Sequence, residues 1–130
     1  MMNEIINLMN QSNIHKDWTV SDIHRLIKPP IEAGYWVESR EYGYLTGFGT
    51  YGFFSDEAFE GYKNQTRKIQ PEDFNSGENV VLIDIVAPHG TAKELTSKMR
   101  NRLVKNGYKG KYISFFRIYN GNRMGNRVML

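Results

Sequence analysis

At 130 residues the chain has the size of one domain, long enough to bury a core, and it has no cysteine with which to staple one. Its net charge of +3 conceals a division: all 14 acidic residues precede Leu95, while nine of the 17 Lys/Arg residues follow it (Lys98, Arg100, Arg102, Lys105, Lys109, Lys111, Arg117, Arg123 and Arg127). No apolar run is long enough to span a bilayer, Met1 to Asn13 lacks the pattern of a secretory leader, and the absence of cysteine fits a reducing compartment, so the expectation is a cytoplasmic single domain covering 1–130.

Residues 3–10 predict a short amphipathic helix with Ile5, Leu8 and Met9 on one side. Thr19 or Ser21 can cap a second helix over Val20 to Lys28, and Pro29-Pro30 is expected to stop it. Gly34 to Glu41 and Tyr44 to Phe54 read as strands of a hairpin that turns at Tyr42-Gly43. Its glycines 43, 47, 49 and 52 suggest bulges or close backbone approach. Ser55 caps a helix to about Tyr62, and the polar stretch Lys63 to Glu78 reads as a loop with one turn at Pro71 to Phe74. Asn79 to Val86 is the best strand, apolar enough to be covered on both faces. Thr91 to Val104 predicts an amphipathic helix ended by Asn106-Gly107. Lys111 to Tyr119, a turn at Asn120 to Asn122, and Arg123 to Leu130 complete an α-α-β-β-α-β-α-β-(β) order, an α+β or α/β layer arrangement.

Asp84 is the sharpest residue, because aspartate is depleted in strands and a buried carboxylate needs a partner. Strand alternation gives it Leu82 and Val86 as same-face neighbours. Two readings stay open: a structural ion pair with a C-terminal arginine such as Arg117, or a carboxylate that orients an imidazole. His15, in the polar segment Ser12-Asn13-Ile14-His15-Lys16-Asp17-Trp18, is the candidate general base. His24 reads as structural or exposed, and His89 as a turn residue. The spacing of the three histidines matches no zinc motif, so no metal is expected. Trp18 reads as a core plug. The turn Ala87-Pro88-His89-Gly90-Thr91 opens a helix, where backbone N–H groups near Gly90 and Thr91 can meet an anion. The basic C-terminal third suggests an anionic partner, either an acidic protein or, as the less favoured reading, a nucleic acid.

Three stretches carry a family pattern: Ser12-x-x-His15-Lys16-x-Trp18, Ile83-Asp84-x-Val86-Ala87-Pro88-x-Gly90, and a strand containing Arg117. With the segment Pro30 to Val37 between them, the chain resembles the RTX toxin-activating lysine acyltransferases, from about Ser12 to Val128. The resemblance implies a GNAT-like acyltransferase fold, a mixed central sheet flanked by helices. It also implies transfer of a fatty acyl group from acyl carrier protein to a lysine side chain of a protein substrate. The acyl-carrying phosphopantetheine thioester would then be a co-substrate, with no bound cofactor. His15 would be the catalytic histidine, Asp84 the catalytic acid, and Ser12 the serine of the family motif. Gly90, Thr91, Arg117 and Lys111 are the expected donor-binding residues, and a homodimer is admitted as a partner state. The alternatives are a non-catalytic GNAT-like adaptor and a basic nucleic-acid-binding protein.

Overall fold

The computed structural model describes residues 2–119 and 122–130; the side chains of residues 117–122 and the turn at Asn120-Gly121 lie outside it. The elements are α1 (Met2–Asn10), α2 (Val20–Leu26), α3 (Lys28–Glu32), β1 (Trp36–Glu41), β2 (Tyr44–Phe54), α4 (Asp56–Asn64), a 3-10 turn (Pro71–Phe74), β3 (Asn79–Val86), α5 (Ala92–Leu103), β4 (Tyr112–Tyr119) and β5 (Asn122–Met129). The strands form one mixed sheet in the order β1-β2-β3-β4-β5, antiparallel except for the β3–β4 pair. The α+β class expected from sequence is the class observed, and the mixed sheet with its helices is consistent with a GNAT-like fold.

At β1 to β3 the sheet is covered on both sides, as the apolar β3 run requires, while residues 124–129 of β5 are exposed. One face packs under α5: Leu95, Met99 and Leu103 are buried against Val37, Tyr51, Phe53 and Val80. The other face packs under the N-terminal helices, where Ile5, Leu8, Met9, Ile23 and Ile27 surround Phe48 and Val86. A third cluster, Phe54, Ala58, Ile69, Phe74 and Val81, seats α4 and the 3-10 turn. Each such aliphatic side chain contributes about 1.5–3 kcal/mol by leaving water, so α1 is held by its three buried residues rather than by its nine-residue length.

Local chemistry places most boundaries. Thr19 caps α2 through a reciprocal box: its hydroxyl accepts from the Asp22 amide and the Asp22 carboxylate accepts from the Thr19 amide. The second helix stops before Pro29-Pro30 as expected, α2 ending at Leu26, but the prolines then open a further helix: they occupy the first turn of α3, where a missing N–H costs nothing. Tyr42 and Gly43 both take positive φ (52° and 83°), the signature of a type I′ hairpin turn. Gly107, at φ 97°, closes the π-type turn that follows α5.

Edge strand β1 would expose unpaired carbonyls, and α5 takes two of them. Lys98 Nζ donates to the Glu38 carbonyl at 2.8 Å, and Arg102 donates to the Trp36 carbonyl. Two of the nine C-terminal cations therefore serve the fold rather than a free basic face.

On the same edge, Arg40 holds α1 to the sheet through Glu4, at 2.9 Å. The Arg40 hydrogen bond keeps the Glu4 carboxyl below its usual range. A lowered folded-state pKa stabilises above the unfolded value and is lost as pH falls through the folded one. Thermal unfolding followed from pH 6 to pH 3 should therefore lose stability below about pH 4. Glu4→Gln should flatten part of that slope, and an unchanged slope would show that the pair contributes nothing.

The fold positions two features for chemistry. The first is a bulge. Thr50 pairs with Asp84 but the next residue, Tyr51, pairs with Leu82, so Ile83 is an extra residue in β3. Val80, Leu82 and Ile85 all pack with the α5 core, whereas Val81, Ile83 and Val86 belong to the opposite face. The bulge thus turns Asp84 away from Leu82 and onto the face shared with Val86 and the N-terminal helices. Simple alternation from Leu82 would have driven the carboxylate under α5.

The second feature is a short parallel pairing. Among the described residues β3 and β4 pair at Val80↔Ile113 and Val81↔Ser114, ahead of Asp84 in β3.

Candidate active site

The segment after α1 makes tight turns rather than a loose loop. The amides of His15 and Lys16 both donate to the Ser12 carbonyl, at 3.1 and 2.9 Å, and the Trp18 amide donates to the His15 carbonyl at 3.1 Å. This winding sends His15 inward while Lys16 and Asp17 stay exposed. His15 is only 4% exposed and Ser12 only 9%. Trp18 is half-buried, its ring centroid 5.2 Å from the imidazole, so it braces His15 besides packing on the N-terminal core.

The imidazole is held at both nitrogens. His15 Nε2 lies 2.6 Å from Asp84 Oδ1, and His15 Nδ1 lies 2.7 Å from Ser12 Oγ. A carboxylate only accepts, so Nε2 carries the proton toward Asp84. In the neutral ring Nδ1 then accepts from the Ser12 hydroxyl. The tautomer follows from the neighbours, and the basic nitrogen faces the serine. Two residues 69 apart in sequence thereby share one hydrogen bond. Of the two readings of Asp84 left open by sequence, the imidazole is the partner found; the Arg117 side chain lies outside the described residues.

The remaining expected residues are spread more widely. His24 is exposed. His89 Nε2 meets Gln11 Oε1 at 2.7 Å, which docks the turn before α5 beside Ser12. The Gly90 amide is already used, donating to the Ala87 carbonyl at 3.2 Å, so Gly90 supplies the turn (φ 83°) and not a free donor. The Thr91 hydroxyl is engaged with Ser39 at 3.1 Å on the α5 face, leaving its backbone amide as the group at the helix start. Lys111 lies away from His15, on a groove of about 960 Å³.

That groove runs between α4 and the β4–β5 ribbon, lined by Lys63, Lys111, Arg123 and Arg127 with Phe59 and Tyr112. Glu78 is the one acid in its lining, and none of the four cations is in an ion pair with a described carboxylate. Arg123 donates to the Tyr62 and Lys63 carbonyls at the end of α4, at 2.8 and 2.6 Å, and stacks over Phe116 at 4.3 Å. A smaller depression shares Arg123 and Phe116 with the groove and includes Tyr62 and Leu26. Burial pushes the Tyr62 hydroxyl up, Arg123 opposes that, and the negative charge of Asp84 adds to it. The Tyr62 hydroxyl therefore feels both the Arg123 cation and the Asp84 carboxylate. Sequence reading missed the roles of Tyr62 and Arg123, because only tertiary packing brings α4, β3 and β5 together.

Comparison with known proteins adds to this geometry. The chain is 26% identical over 102 residues to the RTX-II toxin-activating lysine-acyltransferase ApxIIC of Actinobacillus pleuropneumoniae, covering 78% of this chain and 64% of that protein. It is 24% identical over 104 residues to the lysine-acyltransferase RtxC of Vibrio cholerae serotype O1, covering 79% and 68% respectively. It is 28% identical over 93 residues to the protein-lysine myristoyltransferase RtxC of Kingella kingae, covering 72% and 56%. The matches thus span roughly half to two thirds of these relatives' length. The profile of the RTX toxin acyltransferase family matches residues 1–130, and the chain belongs to that family.

Proposed function

We propose that this chain is a protein-lysine acyltransferase that moves a fatty acyl group from acyl carrier protein to a lysine of a protein substrate. The buried 2.6 Å contact between His15 and Asp84, with Ser12 on the other ring nitrogen, carries the reading. Family membership supports the chemistry of acyl transfer to lysine. The names of the relatives carry the same chemistry.

A lysine ammonium, with an unperturbed pKa of about 10.4, must lose a proton before it can attack. Neutral His15 takes that proton at Nδ1, relayed by the Ser12 hydroxyl that covers it. The imidazolium that forms faces the Asp84 carboxylate, which stabilises it without being protonated. Lysine Nζ adds to the thioester carbonyl, and the oxyanion meets the Thr91 backbone amide at the start of α5. Collapse breaks the C–S bond. The departing thiolate takes the proton from Nδ1 and the second ammonium proton, still on the reacting nitrogen, passes to water, so an amide and a free thiol leave and His15 is neutral again. The Asp84 end of β3, past its pairing with β4 at Val80 and Val81, is the entry for the acyl donor.

The cationic groove gives the donor a docking surface. Acyl carrier proteins are acidic, and Lys63, Lys111, Arg123 and Arg127 converge with little opposing charge. Transfer is expected to weaken steeply as salt rises. Lys111→Glu combined with Arg127→Glu should raise KM for the carrier at least tenfold with little change in kcat. A KM independent of salt and of both substitutions would remove the groove from the reaction.

The decisive experiment incubates the protein with carriers bearing different acyl chains and a lysine-bearing protein substrate, and reads acylation by intact mass. A mass gain of one acyl group supports the proposal. No transfer from any chain length would sink it.

A further inference from the structure

Thr50 is the residue the mechanism leaves unexplained. It is fully buried, and its hydroxyl has no hydrogen-bond partner among the described residues. A buried unpaired hydroxyl is costly, and native structures rarely keep one without a use. Thr50 is the direct cross-strand partner of Asp84 in the β2–β3 ladder. Directly opposed residues in an antiparallel pair share a face, their Cβ atoms about 4.5–5.5 Å apart. The same bulge that turns Asp84 toward His15 therefore sets it opposite Thr50 on that face.

The needs of the two groups match. The Asp84 carboxylate uses Oδ1 toward His15, and that is its one hydrogen bond to a described residue. Its second oxygen accepts from no described residue, and Thr50 Oγ donates to none. A hydrogen bond between them would remove the cost of an orphan hydroxyl. Hydrogen bonds of this kind are often long in the unliganded enzyme and tighten when substrate binds.

We infer that Thr50 is a positioning residue that holds the second oxygen of Asp84, so that the first stays aimed at His15 Nε2. The inference rests on the acyltransferase reading for its consequence in catalysis, but not for its geometry. Thr50 touches neither substrate, and its effect on rate comes through Asp84.

The test uses Thr50→Val, which deletes the hydroxyl at nearly constant volume, and Thr50→Ser, which keeps it. The first readout is the low-field proton resonance of the His15 imidazole N–H in the free, full-length protein. It should be present in the wild type and in Thr50→Ser, and displaced or lost in Thr50→Val. The second is kinetic: kcat for acyl transfer should fall about 10- to 100-fold in Thr50→Val with KM unchanged, and Thr50→Ser should recover most of it. A resonance unmoved in Thr50→Val, or absent from the wild type, overturns the inference whatever the rate does. Should the wild type transfer no acyl group, the functional reading fails while the resonance still decides the role of Thr50.

Discussion

His15→Ala is expected to reduce acyl transfer by about 10²–10⁴-fold, the usual contribution of a positioned general base. The substitution also removes the side chain that ties the 11–19 segment to β3, so a modest fall in Tm accompanies it. That fall alone would leave two explanations, loss of chemistry or loss of structure. Asp84→Asn separates them. Asparagine keeps the shape of the side chain, and its carbonyl oxygen can accept from His15 Nε2 as Oδ1 does at 2.6 Å. What it removes is the negative charge that faces the imidazolium. Asp84→Asn should therefore keep Tm within a few degrees of wild type and still lose about two or more orders of magnitude in kcat. Wild-type turnover in either variant would exclude the proposed roles. Equal loss of turnover and of folded structure in Asp84→Asn would make the contact architectural.

Much of this architecture was legible in the sequence because it is local. The Thr19 box, the Ser55 cap, the Tyr42-Gly43 turn and the break at Gly107 each follow from a residue's own hydrogen-bonding or φ preference. The periodicity of Ile5, Leu8 and Met9 identified the buried side of α1 in the same way. The candidate site was legible in part: His15 and Asp84 stood out singly by chemistry, and the family pattern paired them and added Ser12.

Three things could not be read so directly. The bulge at Ile83 is a property of the β2–β3 register, so the one-strand pattern Leu82-Ile83-Asp84 gives the wrong face. The stretch 63–78 reads as polar loop, yet Arg67 and the Gln70 amide both bind the buried Asp73 carboxylate and organise it, with Phe74 and Ile69 in the core. Gly61 lets the Arg67 stem cross α4, because a Cβ there would sit 2.7 Å from Arg67 Cδ. The basic C-terminal run, finally, divides by partner. Lys98 and Arg102 serve the β1 edge, Arg123 caps α4, and Arg123, Lys111 and Arg127 line the groove.

The two faces of the sheet should also separate stability from activity. Leu8 and Leu103 are both essentially buried, at 2% and 0% exposure, and each is the apolar anchor of a helix. Truncating either to alanine should cost about 2–5 kcal/mol in denaturant unfolding, the range for a buried leucine that leaves a cavity. Their consequences for the site differ. Leu8 packs with Met9, Phe48 and Val86 on the face that carries His15, four residues before Ser12. Its carbonyl accepts the Gln11 amide at 3.0 Å, at the root of the segment that carries Ser12 and His15. Leu103 packs with Val37, Tyr51 and Met99 beneath α5, on the opposite face. Assayed well below both melting temperatures, Leu8→Ala should lose at least tenfold in kcat, because a shift of about 1 Å at Ser12 and His15 is enough to spoil proton transfer. Leu103→Ala should stay within about threefold of wild type at the same loss of stability, since rigid placement of a site depends on the shell that supports it. Equal losses of turnover in the two variants would mean that the N-terminal core has no special hold on the site, and that global softening of the domain alone governs it.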